Sequence, residues 1–134
     1  MSLFVDTSVW SLLLRRDQPS NCPQARALVA AINRGDRILS TGLVLQELLQ
    51  GFSGPKARIH IIEHFAAFPL LVPDREDHIA AAELRNRCRK RGVQAGTIDA
   101  LIAQLCIRHE LVLLTTDADF EHIAKHESLT IWVN

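Results

Sequence analysis

The sequence predicts an α/β fold built on a mainly parallel sheet of five strands, with helices covering both faces of the sheet. Two observations predict it. Short apolar segments of strand length alternate along the chain with longer segments whose apolar residues recur at helical spacing. Glycine, proline and polar residues separate these segments, and the chain contains no repeat, linker or low-complexity stretch. Parallel strands joined through helices have right-handed connections, so the helices come to lie on the faces of the sheet.

In the first half of the chain, a strand followed by two helices is predicted twice. Thr7 or Ser8 is suited to cap the first helix, and the stretch RRDQPSNCP ends it. Pro23 suits the first turn of the second helix, which Gly35 ends. The six predicted elements are strand 3–5, helices 8–14 and 24–33, strand 37–41, and helices 43–50 and 56–68.

The second half begins with a short strand and a long helix. Asp74 is placed to cap this helix, which ends near Arg91, and the loop GVQAG separates it from an amphipathic helix. The apolar run LVLLT is the clearest strand in the chain, and LTIWV closes the sheet. The predicted elements are strand 70–72, helices 75–91 and 97–109, strand 111–115, a short helix capped within TTDADF, and strand 129–133.

Composition and charge restrict the class of protein. The chain has 134 residues, of which 48% are hydrophobic, and this predicts one globular domain over residues 1–134. Fifteen Lys and Arg balance fifteen Asp and Glu, so a nucleic acid would have to be bound through a local basic patch. Three cysteines without a CxxC pair argue against a disulfide framework and a structural zinc site. The N-terminus lacks the pattern of a signal peptide and no apolar run reaches membrane-spanning length, so we expect a cytoplasmic protein without a membrane partner.

Four acidic residues fall where the carboxyl ends of the predicted strands meet, which is where parallel sheets bind ligands. They are Asp6 after the first strand, Glu47 on the helix after the second strand, Asp99 in the first turn of the amphipathic helix, and Asp117 after LVLLT. Glu47 and Asp99 border the apolar side of their helices, where a merely solubilising carboxylate would not lie. Taken alone, Asp6 could equally cap a helix, and Asp99 could interact with the helix dipole.

Two aspartates compete for the last position of this cluster. Asp117 follows the strand at once and should remain at the edge of the sheet. Asp119 lies one short step further along, next to Phe120, and suits the capping of the following helix. We therefore assign Asp117 to the cluster and Asp119 to the cap, and the membership of Asp119 in the cluster stays open at this point.

Carboxylates gathered at one edge repel one another. At a separation of about 5 Å and an effective dielectric constant of about 20, each like-charged pair costs roughly 3 kcal/mol, so the cluster must take up protons or bind cations. Ligand sets made of oxygen alone select Mg²⁺ or Mn²⁺. Two such ions roughly 4 Å apart hold the attacking and leaving oxygens of a phosphodiester during its hydrolysis.

Four segments carry a resemblance to a known family: DTSVW, QELLQG, GTIDALIA and LLTTDADF. In this order and spacing, from Val5 to Phe120, they resemble the PIN-domain ribonucleases and, more narrowly, the VapC toxins of bacterial toxin–antitoxin pairs. The resemblance implies a PIN-like three-layer sandwich and a Mg²⁺-dependent endoribonuclease, in which Mn²⁺ substitutes for Mg²⁺. It also implies a homodimer that a cognate antitoxin holds inactive.

Carried over residue by residue, the resemblance also implies the catalytic and metal-binding residues, which are Asp6, Glu47, Asp99 and Asp117. Asp6 would be the main metal ligand, and Glu47 would hold or orient water. Ser8 and Thr116 would support the acids through hydrogen bonds. The implied products of RNA cleavage carry a 5′-phosphate and a free 3′-hydroxyl.

Other signals point to different functions. His60 and His64 in HIIEH have the spacing of a zinc peptidase, but the helical pattern places them on a solvated face. The basic run from Arg85 to Arg91 either contacts RNA phosphates or is a solvated helix end, and we favour the helix end. A receiver-like signalling module would use the same sheet with an acidic Mg²⁺ site, although it needs a paired acid after the first strand. A PIN fold kept only for binding a partner is a further alternative, against which the four acids argue.

Overall fold

The computed structural model describes residues 1–15 and 21–134, so residues 16–20 of the predicted break RRDQPSNCP lie outside the described residues. Within the described ranges, strands and helices alternate as the sequence predicts. The strands are β1 (Ser2–Val5), β2 (Arg37–Thr41), β3 (Leu70–Leu71), β4 (Val112–Leu114) and β5 (Thr130–Ile131). The helices are α1 (Thr7–Leu14), α2 (Pro23–Arg34), α3 (Gly42–Gly51), α4 (Pro55–Phe65), α5 (Arg75–Lys90), α6 (Thr97–Arg108) and α7 (Ala118–Ala124).

The five strands form one sheet in the order β3-β2-β1-β4-β5, and every neighbouring pair is parallel. The predicted α/β fold is therefore confirmed. In the central strand, Phe4 pairs with Leu39 of β2 on one side and with Leu113 of β4 on the other. The strand order reverses at β1, because the chain first builds outward to β3 and then returns to place β4 on the opposite side. The carboxyl ends of β1 and β4 consequently border a crevice of the kind in which parallel sheets bind ligands.

The packing of helices on the sheet positions the candidate residues. The residues Leu3, Phe4 and Val5 of β1 are at most 2% exposed, so the strand that precedes Asp6 is rigidly held. Six residues of α6 are buried, and this helix leads directly into β4. Because α6 therefore runs antiparallel to β4, its first turn lies at the carboxyl edge of the sheet.

Helix ends follow the predicted signals at two helices and depart from them at a third. Asp74 caps α5 in a reciprocal pair, in which each side chain of Asp74 and Asp77 accepts the backbone N–H of the other at 2.9 Å. Gly35 ends α2 in the left-handed conformation, with φ of 73°. The cap predicted for α1 is wrong, because the helix begins at Thr7 and the N-cap position belongs to Asp6. The Asp6 side chain makes no capping bond there, since two hydroxyl groups hold it elsewhere.

Several helices and strands are shorter than the apolar pattern predicts. Helix α4 ends at Phe65, because the backbone turns there and the Phe68 N–H bonds the Phe65 carbonyl at 3.1 Å. Each of the outer strands β3 and β5 keeps only two paired residues. In the described part of the chain, no helix combines the length and the apolar character that crossing a lipid bilayer requires.

Candidate active site

Two hydroxyl groups fix the carboxylate of Asp6 at the end of β1. Asp6 is 7% exposed, and its Oδ2 accepts hydrogen bonds from Ser8 Oγ at 2.8 Å and from Thr115 Oγ1 at 2.6 Å. Ser8 Oγ in turn accepts the N–H of Thr116 at 3.1 Å. Thr115 Oγ1 accepts the N–H of Asp117 at 3.0 Å. Because both hydroxyls bond the same oxygen, they orient the carboxylate without occupying its Oδ1.

One of these supporting hydroxyls was missed by the sequence analysis. The predicted support by Ser8 is confirmed, and Thr116 contributes indirectly, because its backbone N–H bonds Ser8 Oγ and not an acid. Thr115 supplies the hydroxyl instead. Val5 lies opposite Leu114, so the residues that follow them, Asp6 and Thr115, are adjacent. Knowledge of this register would have identified Thr115.

The assignment of the helix cap after β4 is also corrected. Asp117, and not Asp119, occupies the N-cap position of α7, and its Oδ1 accepts the N–H of Asp119 at 2.9 Å. The strand ends at Leu114, earlier than predicted, and the Thr115 hydroxyl holds the Asp117 N–H in a tight turn. The helix consequently begins at once after Asp117, so that the Asp119 side chain is released from the capping role.

Asp99, Asp117 and Asp119 form a compact group of possible metal ligands. One carboxylate oxygen from each lies within 4.8 Å of the others. Over residues 1–15 and 21–134, no second set of three His, Cys, Asp or Glu side chains is arranged in this way. Two of the four predicted site acids therefore belong to this group, while Asp6 and Glu47 lie outside it.

The negative charges at this edge act most strongly on Asp99. The pKa of Asp99 rises from 3.8 to about 6. Burial is the largest cause, and the next causes are the charges of Asp117, Asp6, Asp119 and Glu47. Asp6 and Glu47 are thus within electrostatic range of the compact group, although no oxygen of theirs belongs to it. The repulsion predicted for this edge is therefore present in the folded protein.

Two neighbouring side chains complete the surroundings. Glu47 is exposed, and its Oε1 accepts a hydrogen bond from Thr7 Oγ1 at 3.1 Å, which connects α3 to the start of α1 beside Asp6. Burial, with a smaller contribution from the Asp6 charge, raises the pKa of the Cys106 thiol. The sulfur consequently stays protonated, and the ligands available at this edge are oxygen atoms.

The histidine pair of HIIEH and the basic run, which the sequence offered as signals of other functions, lie in different surroundings. His60 and His64 are exposed, their rings lie 4.2 Å apart, and neither joins a group of three metal ligands among the residues described. In the basic run, Arg85 Nε donates to the Ala95 carbonyl at 2.8 Å. Arg87 forms an ion pair with Glu127 at 2.7 Å. These contacts give part of the run a structural role.

Comparison with known proteins agrees with this geometry. Residues 3–126 match the family model of the PIN domain, so the chain belongs to the PIN domain family. Within that family it belongs with the VapC ribonucleases, since it is 30% identical over 129 residues to Ribonuclease VapC11 of Mycobacterium tuberculosis, with 95% of each chain covered. The predicted membership is confirmed, and the receiver-like alternative is excluded.

Solved structures show the same fold at lower identity. VapBC-1 from nontypeable Haemophilus influenzae has a TM-score of 0.75 at 20% identity, and the match covers 98% of this chain and 97% of the other. VapC20 of Mycobacterium tuberculosis, described as a sarcin–ricin loop cleaving toxin, has a TM-score of 0.66 at 19% identity, with 90% and 93% covered.

Proposed function

We propose that this protein is a metal-dependent endoribonuclease that hydrolyses RNA phosphodiesters and acts as the toxin of a toxin–antitoxin pair. The observation that carries the proposal is the gathering of carboxylates at the point where the strand order reverses. Asp99, Asp117 and Asp119 lie together there, and the rigidly oriented Asp6 lies in electrostatic range. The relative VapC11 is named a ribonuclease, which agrees with this chemistry. The domain that carries the activity spans residues 1–134, and we place the protein in the cytoplasm.

The donor set suits a hard divalent cation. The compact group offers carboxylate oxygens alone, because the nearby thiol of Cys106 is buried and protonated and His122 does not belong to the group; such oxygens favour Mg²⁺, for which Mn²⁺ substitutes. We assign five residues to the metal site: Asp6, Glu47, Asp99, Asp117 and, in addition to those that the sequence predicts, Asp119. These residues would hold Mg²⁺, which would supply Lewis acidity to the phosphodiester; two such ions would stabilise its attacking and leaving oxygens.

The protein residues prepare this edge for the reaction. Ser8 and Thr115 keep the Asp6 carboxylate in one orientation, so no rotational freedom is lost when a ligand binds. Asp117 uses Oδ1 for the cap of α7, which fixes the direction of its other oxygen. Asp99, with a pKa of about 6, releases its proton more readily once a cation offsets the neighbouring charges.

The second copy of a homodimer would cover a large apolar groove near this edge. The groove has a volume of about 850 Å³ and runs between α3, β3, α5 and the start of α6. Val72 on its rim is 85% exposed, and Leu70 and Ile98 are also exposed. In a two-fold symmetric dimer these aliphatic side chains would meet the same side chains of the partner, and the interfaces of homodimers are typically apolar. Val72→Asp with Ile98→Asp should therefore convert a dimer to a monomer in sedimentation velocity, whereas an unchanged mass would place the interface elsewhere.

The antitoxin would neutralise the protein by covering the acidic edge. A basic side chain, most effectively an Arg, would form charge-assisted hydrogen bonds with the carboxylates and compete with the metal. Inhibition should then weaken as the Mg²⁺ concentration rises. A complex that still cuts RNA, with inhibition insensitive to metal, would exclude this mode of neutralisation.

The decisive experiment measures metal binding and RNA cleavage separately. Mn²⁺ binding is followed by calorimetry for the wild type, for Asp99→Asn and for the surface control Glu63→Gln, and the same proteins are incubated with RNA in Mg²⁺, Mn²⁺ or EDTA. We expect cleavage to 5′-phosphate products that stops in EDTA, and loss of both binding and cleavage in Asp99→Asn only. Mn²⁺ binding without cleavage of any RNA would support the alternative of a PIN fold that only binds a partner. Robust cleavage in EDTA would contradict the metal site.

A further inference from the structure

A second, smaller cavity adjoins the carboxylate group on the side of α7. Its volume is about 180 Å³, and it is lined by Gly92, Val93 and Gln94 of the loop before α6 and by Asp119 and His122 of α7. Asp119 therefore belongs both to the wall of the cavity and to the compact group of carboxylates. A ligand in the cavity would therefore contact Asp119, one of the residues to which we assign the metal.

Both walls of this cavity are tied to the body of the protein. On one side, the Val93 N–H bonds the carbonyl of the buried Cys88 at 2.9 Å, and Arg85 Nε bonds the Ala95 carbonyl at 2.8 Å. Gly92 adopts φ of 80°, a conformation in which glycine makes the turn without strain. On the other side, the ion pair of Arg87 and Glu127 connects α5 to the segment after α7. A ligand would thus enter a preformed space, which keeps the entropic cost of binding low.

The chemistry of the lining selects the class of ligand. Among the described residues that line the cavity there is neither Lys nor Arg, and the Asp119 carboxylate would repel a phosphate. Gln94 offers an amide donor and an amide acceptor, His122 offers a flat ring, and Val93 offers an apolar surface. Hydrogen bonds to base edges and stacking on flat side chains are the contacts by which proteins read single-stranded RNA. A space of about 180 Å³ has room for one planar base, whose sugar and phosphate would lie outside it, towards the carboxylates.

We propose that this cavity is a nucleobase subsite, which binds the base of a nucleotide flanking the scissile phosphate and so determines sequence preference through Gln94 and His122. The inference rests on the proposed nuclease function for its place in the reaction, because a phosphate at the carboxylates puts the adjoining base within reach of the cavity. The binding of a base, however, does not itself require catalysis.

The test therefore has one arm without cleavage. The four ribonucleosides, which carry no phosphate, are titrated into ¹⁵N-labelled full-length protein, and backbone amide shifts are followed by NMR. We expect one nucleoside to shift the amides of Val93, Gln94 and His122 most strongly, and we expect its binding to weaken about tenfold in Gln94→Ala/His122→Ala. The matched control Gln50→Ala/His126→Ala removes the same two side-chain types outside the cavity and should bind as the wild type does. Shifts confined to other surfaces, or equal binding by both double variants, would overturn the subsite.

The second arm uses RNA oligonucleotides randomised around the cleaved bond, with the products sequenced. Wild-type protein should prefer one base at a single position next to the cleaved bond, and this preference should fall about tenfold in Gln94→Ala/His122→Ala. An unchanged preference in this variant would overturn the role in specificity. If ribonucleosides bind at the cavity but no RNA is cut, the subsite stands and the proposed nuclease function fails.

Discussion

Replacing Asp99 by Asn should make the cation-free protein more stable. The pKa of Asp99 lies near 6 in the folded protein and at 3.8 without its surroundings, a difference of about 2 units. At 1.36 kcal/mol per unit the ionised group would cost about 3 kcal/mol, which solvent screening of this half-buried side chain reduces to about 1–2 kcal/mol. Asn carries no charge, so the variant should recover this free energy of unfolding. The melting temperature should rise by roughly 3–8 °C.

The sign of the effect depends on pH and on the metal. Below pH 3.8, Asp99 is protonated in both the folded and the unfolded state, and its ionisation costs no stability. As the pH rises towards 6, the unfolded chain releases the proton first, so the penalty grows, and above pH 6 it is constant. Bound Mn²⁺ at one hundred times its dissociation constant stabilises by about 2.7 kcal/mol, which exceeds the penalty. Wild-type protein should therefore become the more stable of the two when metal is added.

Thermal unfolding followed by circular dichroism tests this reasoning at pH 4 and pH 7.5, each in EDTA and in MnCl₂. Glu63→Gln removes an exposed charge from α4 and should melt as the wild type does in all four conditions. A melting temperature of Asp99→Asn below that of the wild type in EDTA at pH 7.5 would show that Asp99 serves the structure, and the argument from charge repulsion would then be refuted.

Four further predictions rest on the contacts at the site and at α5. Asp117→Asn should keep the cap of α7 without lowering the melting temperature but lose cleavage, whereas Asp117→Ala should be about 1 kcal/mol less stable than Asp117→Asn; equal stability of the two variants would contradict the capping role. Asp119→Asn should lose most Mn²⁺ binding in calorimetry without loss of stability, and full binding would remove Asp119 from the metal site. Thr115→Val removes one of the two hydroxyls that hold the Asp6 carboxylate and should lower the cleavage rate about 10- to 100-fold, while an unchanged rate would show that one hydroxyl suffices. Burial opposes the ionisation of Asp77, but hydrogen bonds from Asp74 and Arg108 outweigh it and lower the pKa of this carboxyl. The stability of the wild type should therefore fall as the pH drops below about 4. Arg108→Met should lower the free energy of unfolding at pH 7 by about 1.5 kcal/mol, measured by urea unfolding.

The fold could be predicted from the sequence because its signals are local. Strand β4 and helix α6 show the apolar periodicities of buried elements, and Gly35 and Asp74 mark helix ends through conformations that depend on a few neighbouring residues. The predicted strands 70–72 and 129–133 are longer than β3 and β5, which have two residues each. The apolar pattern at the edge of a sheet is the same whether or not the backbone is paired. Strand order became visible only in the structure.

The candidate site was predicted less completely, because its details depend on contacts between distant segments. The convergence of Asp99 and Asp117 follows from the rule that carboxyl ends share an edge. The exchange of roles between Asp117 and Asp119 depends on where β4 stops, and the Thr115 support depends on the register of β4 against β1. Neither is encoded in local periodicity. The cavity formed by the loop before α6 and by α7 likewise arises from tertiary packing alone.

The Asp117 side chain caps α7 and also belongs to the compact group of carboxylates, and this double role has an evolutionary consequence. Asn at this position would satisfy the same N–H and keep α7 in place, while offering a poorer ligand to a hard cation. A single nucleotide change converts an Asp codon into an Asn codon. A gene of this kind can therefore lose a costly activity in one step without passing through an unfolded protein, and its product would retain every surface that a partner recognises apart from one charge.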